Sequence, residues 1–134
     1  MAKLYRSREG EATGVDTKSQ LTTLGSETAP GPLLVPTGVS KITGIIIAAI
    51  QNMAAATGYS GFIRLEGPGL PGGPETFAAV AGGNAVATGG NATNPAKKIE
   101  VDIPVTPANE ILIFAEMAGT DVGQVNFGVT LIFE

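Results

Sequence analysis

The sequence predicts an all-β fold, an antiparallel β-sandwich behind an extended N-terminal arm, and three observations predict it. Two segments alternate apolar and polar residues with period two, the pattern of half-buried strands. Glycine and proline clusters recur between apolar runs, with 19 Gly and 9 Pro in 134 residues, as expected of short strands joined by turns. About six to eight strand-like segments crowd into residues 39–134, the density of two packed sheets.

Taken in order, residues 1–38 differ from the rest. They hold four positive and four negative charges, no sustained period, and a closing Pro30-Gly31-Pro32 and Pro36 cluster. This composition predicts an arm, 1–38, ahead of a sandwich domain, 39–134. Leu21, Leu24, Leu33, Leu34 and Val35 give the arm apolar area to bury where it docks. Ile45–Ile50 (IIIAAI) is apolar at consecutive positions. Ile42, Ile45, Ile46, Ala49, Ile50 and Met53 also recur at helical spacing, so 42–53 admits strand or helix. Gly44 and the β-branched run Ile45–Ile47 favour the strand.

Ser60–Glu66 (SGFIRLE) and Glu75–Ala81 read as short strands separated by Gly67-Pro68-Gly69 and Pro71-Gly72-Gly73-Pro74. Lys98–Val105 alternates, with Ile99, Val101, Ile103 and Val105 inward and Lys98, Glu100, Asp102 and Pro104 outward. Pro104 removes a ladder donor and marks an edge or a strand end. Ile111–Ala115 (ILIFA) lacks alternation and needs cover on both faces. Val125, Phe127, Val129, Leu131 and Phe133 place the C-terminal strand's inner face.

Composition narrows the chemistry. Net charge is −4, and only Lys3, Arg6 and Arg8 form a local basic group, with Glu9 and Glu11 following at once. Nucleic-acid binding needs clustered cations, so the balance argues against it. There is no cysteine and no histidine, which removes disulfides, thiolate metal sites, Ser-His-Asp catalysis and His-based zinc or iron sites. The apolar run Ile45–Ile50 is too short to span a membrane. The start MAKLYRSREG lacks an apolar signal core, so the expectation is synthesis in the cytoplasm without a secretion signal.

Several motifs admit plainer readings than the chemistry they spell. Gly67-Pro68-Gly69-Leu70-Pro71-Gly72 spells G-x-G-x-x-G, but Pro68 and Pro71 remove the backbone donors a pyrophosphate needs, which leaves a turn. Glu100 and Asp102 share a strand face as paired glycosidase carboxylates would, but between Lys98 and Pro104 they read as the solvated face of an amphipathic strand. Glu116 and Asp121 around Gly119 could offer oxygens to Ca²⁺, without the spacing of a calcium loop. Ser60 in Gly58-Tyr59-Ser60-Gly61 falls short of a nucleophile elbow. Arg64, Lys97 and Lys98 are too scattered for an anion patch. The expectation is a protein that is not an enzyme, with no catalytic, cofactor or metal site.

A strand apolar on both faces needs a second covering surface, and symmetric association supplies one. The oligomer interface is therefore expected at Ile45, Ile46, Ile47, Ile111, Leu112, Ile113 and Phe114, with Leu21, Leu24, Leu33 and Leu34 of the arm. With its arm, its Gly/Ala/Pro-rich loops and the C-terminal strand VNFGVTLIFE, the chain resembles virion shell proteins, both single jelly-roll capsid subunits and phage capsid-decoration proteins. That resemblance implies a jelly-roll-like sandwich, a place in the virion, assembly with itself into a trimer or lattice, and contact with another shell protein. Two alternatives stand beside it. One is a filament or surface-layer subunit; the other is a ligand- or carbohydrate-binding sandwich module, which would need aromatic platforms that Tyr5 and Tyr59 scarcely supply in a chain without Trp. On this reading a chain beginning near Val39 folds but assembles poorly.

Overall fold

The period-two segments are strands in the computed structural model, which describes residues 3–13, 19–22, 31–53, 57–80, 97–121 and 124–134. Every regular element among them is a strand. They are β1 (Leu4–Thr13), β2 (Ser19–Gln20), β3 (Leu33–Leu34), β4 (Lys41–Met53), β5 (Thr57–Glu66), β6 (Glu75–Val80), β7 (Lys97–Pro104), β8 (Glu110–Asp121) and β9 (Gln124–Phe133). The 42–53 segment is a strand, as its β-branched run favoured. All pairings are antiparallel.

The first sheet runs β1-β9-β4-β7 and the second β2-β8-β5-β6, with β3 also paired to β8. Because β8 gives its other edge to β5, the two short strands β2 and β3 lie end to end along one edge. Most connections cross from one sheet to the other, and the first and last strands are neighbours. This is the double Greek-key wiring of a jelly roll. Pro104 ends β7, which is an edge strand, as its missing donor requires.

The core lies between the sheets. Ile42, Ile45, Ile47, Phe127, Val129, Leu131 and Phe133 face Ile63, Leu65, Ile111, Ile113 and Ala115, all buried. Ile103 and Val105 are buried too, while Lys98, Glu100, Asp102 and Pro104 are exposed, so β7 alternates as its sequence does. In β4 the register passes from Ile42↔Phe133 to Gly44↔Ile132, leaving Thr43 as an extra residue. That bulge keeps Ile42 and Ile45 on the same inner face although they are three apart.

The expected break at residue 38 does not appear in the described residues. β1 pairs with β9 over its whole length, from Leu4↔Phe133 to Thr13↔Gln124. Leu21, Leu33 and Val35 are buried in this chain's own core. The described part of 1–38 is therefore sheet edge and core of the same sandwich, not an arm apart from a 39–134 domain. Two contacts close that side. Arg8 donates from Nε to the Gly31 carbonyl at 3.1 Å and from Nη2 to the Pro32 carbonyl at 3.5 Å. Gly10 sits so close to Leu21 that a Cβ there would lie 2.9 Å from Leu21 Cδ2. Both residues are opposite inward positions of β9, Arg8 at Val129 and Gly10 at Phe127. The inward arginine bridges the two sheets where the core tapers, and it also guards an open edge.

At the opposite ends of these strands three loops are joined through their backbones. Val35 N–H donates to the Asn109 carbonyl and Ala108 N–H to the Val35 carbonyl, each at 2.9 Å. Gly69 N–H donates to the Glu110 carbonyl at 2.8 Å, and Thr106 N–H to the Gly69 carbonyl at 2.9 Å. Gly67 has φ of 114°, and a Cβ at Gly69 would lie 2.8 Å from Ile111 Cγ1. The glycines of the G-x-G-x-x-G run thus let a turn lie flat on β8.

Candidate interaction surface

The second sheet carries its inner residues at Ile63, Leu65, Ile111, Ile113 and Ala115, so strand alternation turns Phe62, Arg64, Glu66, Leu112, Phe114 and Glu116 outward. Leu34 alternates with buried Leu33 and Val35 and stands 58% exposed on the same outer face. Register places Leu112 beside Glu66, Phe114 beside Arg64, and Glu116 beside Phe62. Leu34 lies beside Glu110, and Gln20 beside Phe114. Leu34, Leu112, Phe114 and Phe62 therefore form a diagonal apolar stripe across the strands β3, β8 and β5, and the last three residues are half-buried.

Beside the stripe, Arg64 Nε lies 3.3 Å from Glu66 Oε2, with side-chain exposures of 42% and 20%. The nitrogen is shielded from water but makes no well-aligned hydrogen bond. The contact is an ion pair by distance only, and it leaves guanidinium donors for another acceptor.

The outer face of the first sheet is different. Ile132, on that face, is 2% exposed because it packs over Gly44. Ser7 and Thr130 hydroxyls meet at 2.7 Å. Lys41 pairs with Asp102 at 3.6 Å and Lys98 with Glu100 at 3.2 Å, all four well exposed. Glu100 and Asp102 thus occupy a solvated, lysine-matched face, the plainer of the two readings of that pair. Ile46 is half-buried there and Tyr5 is 54% exposed.

The interface residues expected from the sequence divide by face. Ile45, Ile47, Ile111, Ile113, Leu21 and Leu33 are interior to this chain, each 0–1% exposed. The reason is geometric: a run apolar at every position still alternates in space, so half of it faces inward. Ile46, Leu112, Phe114 and Leu34 point outward. Leu24 lies outside the described residues, as do the side chains of Ser60 and Asp121. Phe62, Arg64 and Glu66 were absent from the expected interface. Their signal was available in the inward positions Ile63 and Leu65, which force the residues between and beside them onto the other face. Among the described residues no three His, Cys, Asp or Glu side chains gather as metal ligands, and no helix is long and apolar enough to cross a membrane.

No family model matches the sequence, and no curated protein does so significantly. Solved structures do share its fold. A chain of infectious bursal disease virus, Gx strain, aligns with TM-score 0.51 and 12% identity over 98% of this chain and 32% of its own length. The crystal structure of FLHE aligns with TM-score 0.50 and 12% identity over 100% of this chain and 99% of its own. This chain spans about a third of the viral one and nearly all of FLHE. At such identities the likeness is one of fold: an antiparallel sandwich of this wiring.

Proposed function

We propose that this chain is a structural, non-enzymatic subunit of a virion shell, a capsid or capsid-decoration protein that associates with copies of itself. The observation that carries the reading is the apolar stripe Leu34, Leu112, Phe114 and Phe62. The core closes completely without it, with its inner residues at or near zero exposure. Large apolar side chains on the far side of a finished sandwich mark a surface that another protein covers. The jelly-roll wiring supports the reading, since shells, lectins and cupins all use it, and a viral chain shares the fold. FLHE shares it as well, so wiring alone does not choose a function and the stripe has to.

A ligand-binding module of the same fold would present an aromatic platform. Tyr5 is the one aromatic side chain above half exposure among the described residues, and it has Ser7 and Arg6 rather than a second ring as near neighbours on its strand. The test is light-scattering mass across a concentration series, followed by negative-stain microscopy. Closed shells, rings or two-dimensional lattices are expected. Filaments would favour the filament-subunit reading, and a monomer at every concentration would overturn self-assembly altogether.

A further inference from the structure

We propose that the outer face of the second sheet is a two-fold self-association surface, on which a second copy lays the same face with Arg64 opposite Glu66 and Phe114 opposite Leu112. The inference rests on the self-assembly reading and identifies one face that takes part in it, since a two-fold contact alone closes at a dimer. Two adjacent rows cross this sheet. One holds Leu112 and Glu66, the other Phe114 and Arg64. The rows are two residues apart on each strand, about 7 Å. A two-fold axis lying in the interface, running across the strands midway between the rows, exchanges them. Each Arg64 then faces the other copy's Glu66, and each Phe114 faces a Leu112.

This is the self-complementarity an isologous interface requires, in which residue i meets j and j meets i. Each pair is apolar on apolar or cation on anion, and no like charges meet in these two rows. Packed sheets lie about 10 Å apart, a gap that arginine and phenylalanine side chains fill. Arg64 and Glu66 already touch at 3.3 Å within one copy, so stacking produces an alternating ring of four charges. The guanidinium nitrogens of Arg64 beyond the shielded Nε gain acceptors that one carboxylate does not provide. Glu110 and Glu116 come opposite one another only at the rim, where water and salt screen them. Among the described residues, the outer face of the first sheet has its lysines and carboxylates matched within the chain and its Ile132 already covered.

Sedimentation equilibrium tests this with the full chain, Arg64→Glu, Glu66→Arg, and an equimolar mixture of the two variants, each checked for β-type circular dichroism. The full chain associates. Either single variant places like charges face to face and weakens self-association at least about tenfold. The mixture restores it, because a doubly acidic face meets a doubly basic one. Should either variant lose its β signal, Leu112→Glu, which the two-fold sets opposite Phe114 of the other copy, takes its place and weakens association likewise. If the full chain associates and the folded variants associate equally well, this face is not the interface, while the self-assembly reading survives. Should the full chain be monomeric throughout, the self-assembly reading fails and this inference falls with it. A mixture that stays monomeric, with both single variants weakened, overturns the two-fold pairing specifically.

Discussion

Gly69 has no room for a side chain. A Cβ there would lie 2.8 Å from Ile111 Cγ1, 2.9 Å from the Glu110 carbonyl oxygen and 3.0 Å from Val35 Cγ2. All three neighbours belong to the backbone or core of other segments, so they cannot swing away. Gly69→Ala should lower stability by about 1–3 kcal/mol, whereas Gly72→Ala, with nothing within 4 Å, should change it by less than about 0.5 kcal/mol. Urea midpoints at constant m-value compare the two. Ala108 is the converse case: an exposed alanine at φ 62° in the Pro107-Ala108 turn, where glycine would rest without strain. Relief of about 1–2 kcal/mol is partly offset by the extra freedom glycine has when unfolded, about 0.5–1 kcal/mol. Ala108→Gly should therefore gain roughly 0–1.5 kcal/mol by the same two principles, and a lower urea midpoint would contradict it. Exposed ion pairs contribute less than either. Asp102→Asn, which removes the 3.6 Å contact to Lys41, should shift stability by under about 1 kcal/mol.

Among the elements, β1 carries the sharpest consequence. It pairs with β9 along ten residues, while Leu21, Leu33 and Val35 line the core beside β8. Removing residues 1–38 would strip an edge from each sheet and leave three core positions empty. Loss of a single large core side chain costs about 2–5 kcal/mol, comparable with a domain's whole stability of about 5–15 kcal/mol. A chain starting at Val39 should therefore lose cooperative thermal unfolding, and a sharp calorimetric transition from it would contradict this placement. The composition of 1–38 concealed these strands for physical reasons. Arg6 and Arg8 lie opposite Leu131 and Val129, on the inner side of a margin strand where the core has thinned enough for long cations. β2 and β3 are two residues each, too short for any period to register. β7 and β9, by contrast, were legible because each has one dry and one wet face. The outward stripe was half legible: Leu112 and Phe114 stood out as unalternated, whereas Phe62, Arg64 and Glu66 needed the β5–β8 register to join them.

At the scale of the whole molecule, the wiring sets both how the chain folds and how it can be cut. Leu4 pairs with Phe133, and the Glu134 N–H donates to the Lys41 carbonyl at 2.9 Å. Strands from the two ends of the sequence thus lie side by side, and a sheet built from such distant partners pays a large loop-closure entropy before its contacts form. Refolding should be slow for the size, in the millisecond-to-second range or beyond. Linking residue 134 to residue 3 through a short Gly/Ser linker and reopening the chain between Gly72 and Gly73 tests the arrangement directly. The new cut falls in an exposed turn and sacrifices chiefly the 3.1 Å bond from Gly73 N–H to the Leu70 carbonyl. The permuted chain should fold to the same β-type circular dichroism and lose only a few kcal/mol, since β1 and β9 become neighbours in sequence as they are in space. It should also refold faster than the parent, because the longest-range pairing has become local. If β1 instead docked on another copy's β9, the short link would favour pairing within one chain. The permuted protein would then lose association that the parent retains, whereas the topology described here leaves its oligomeric state unchanged.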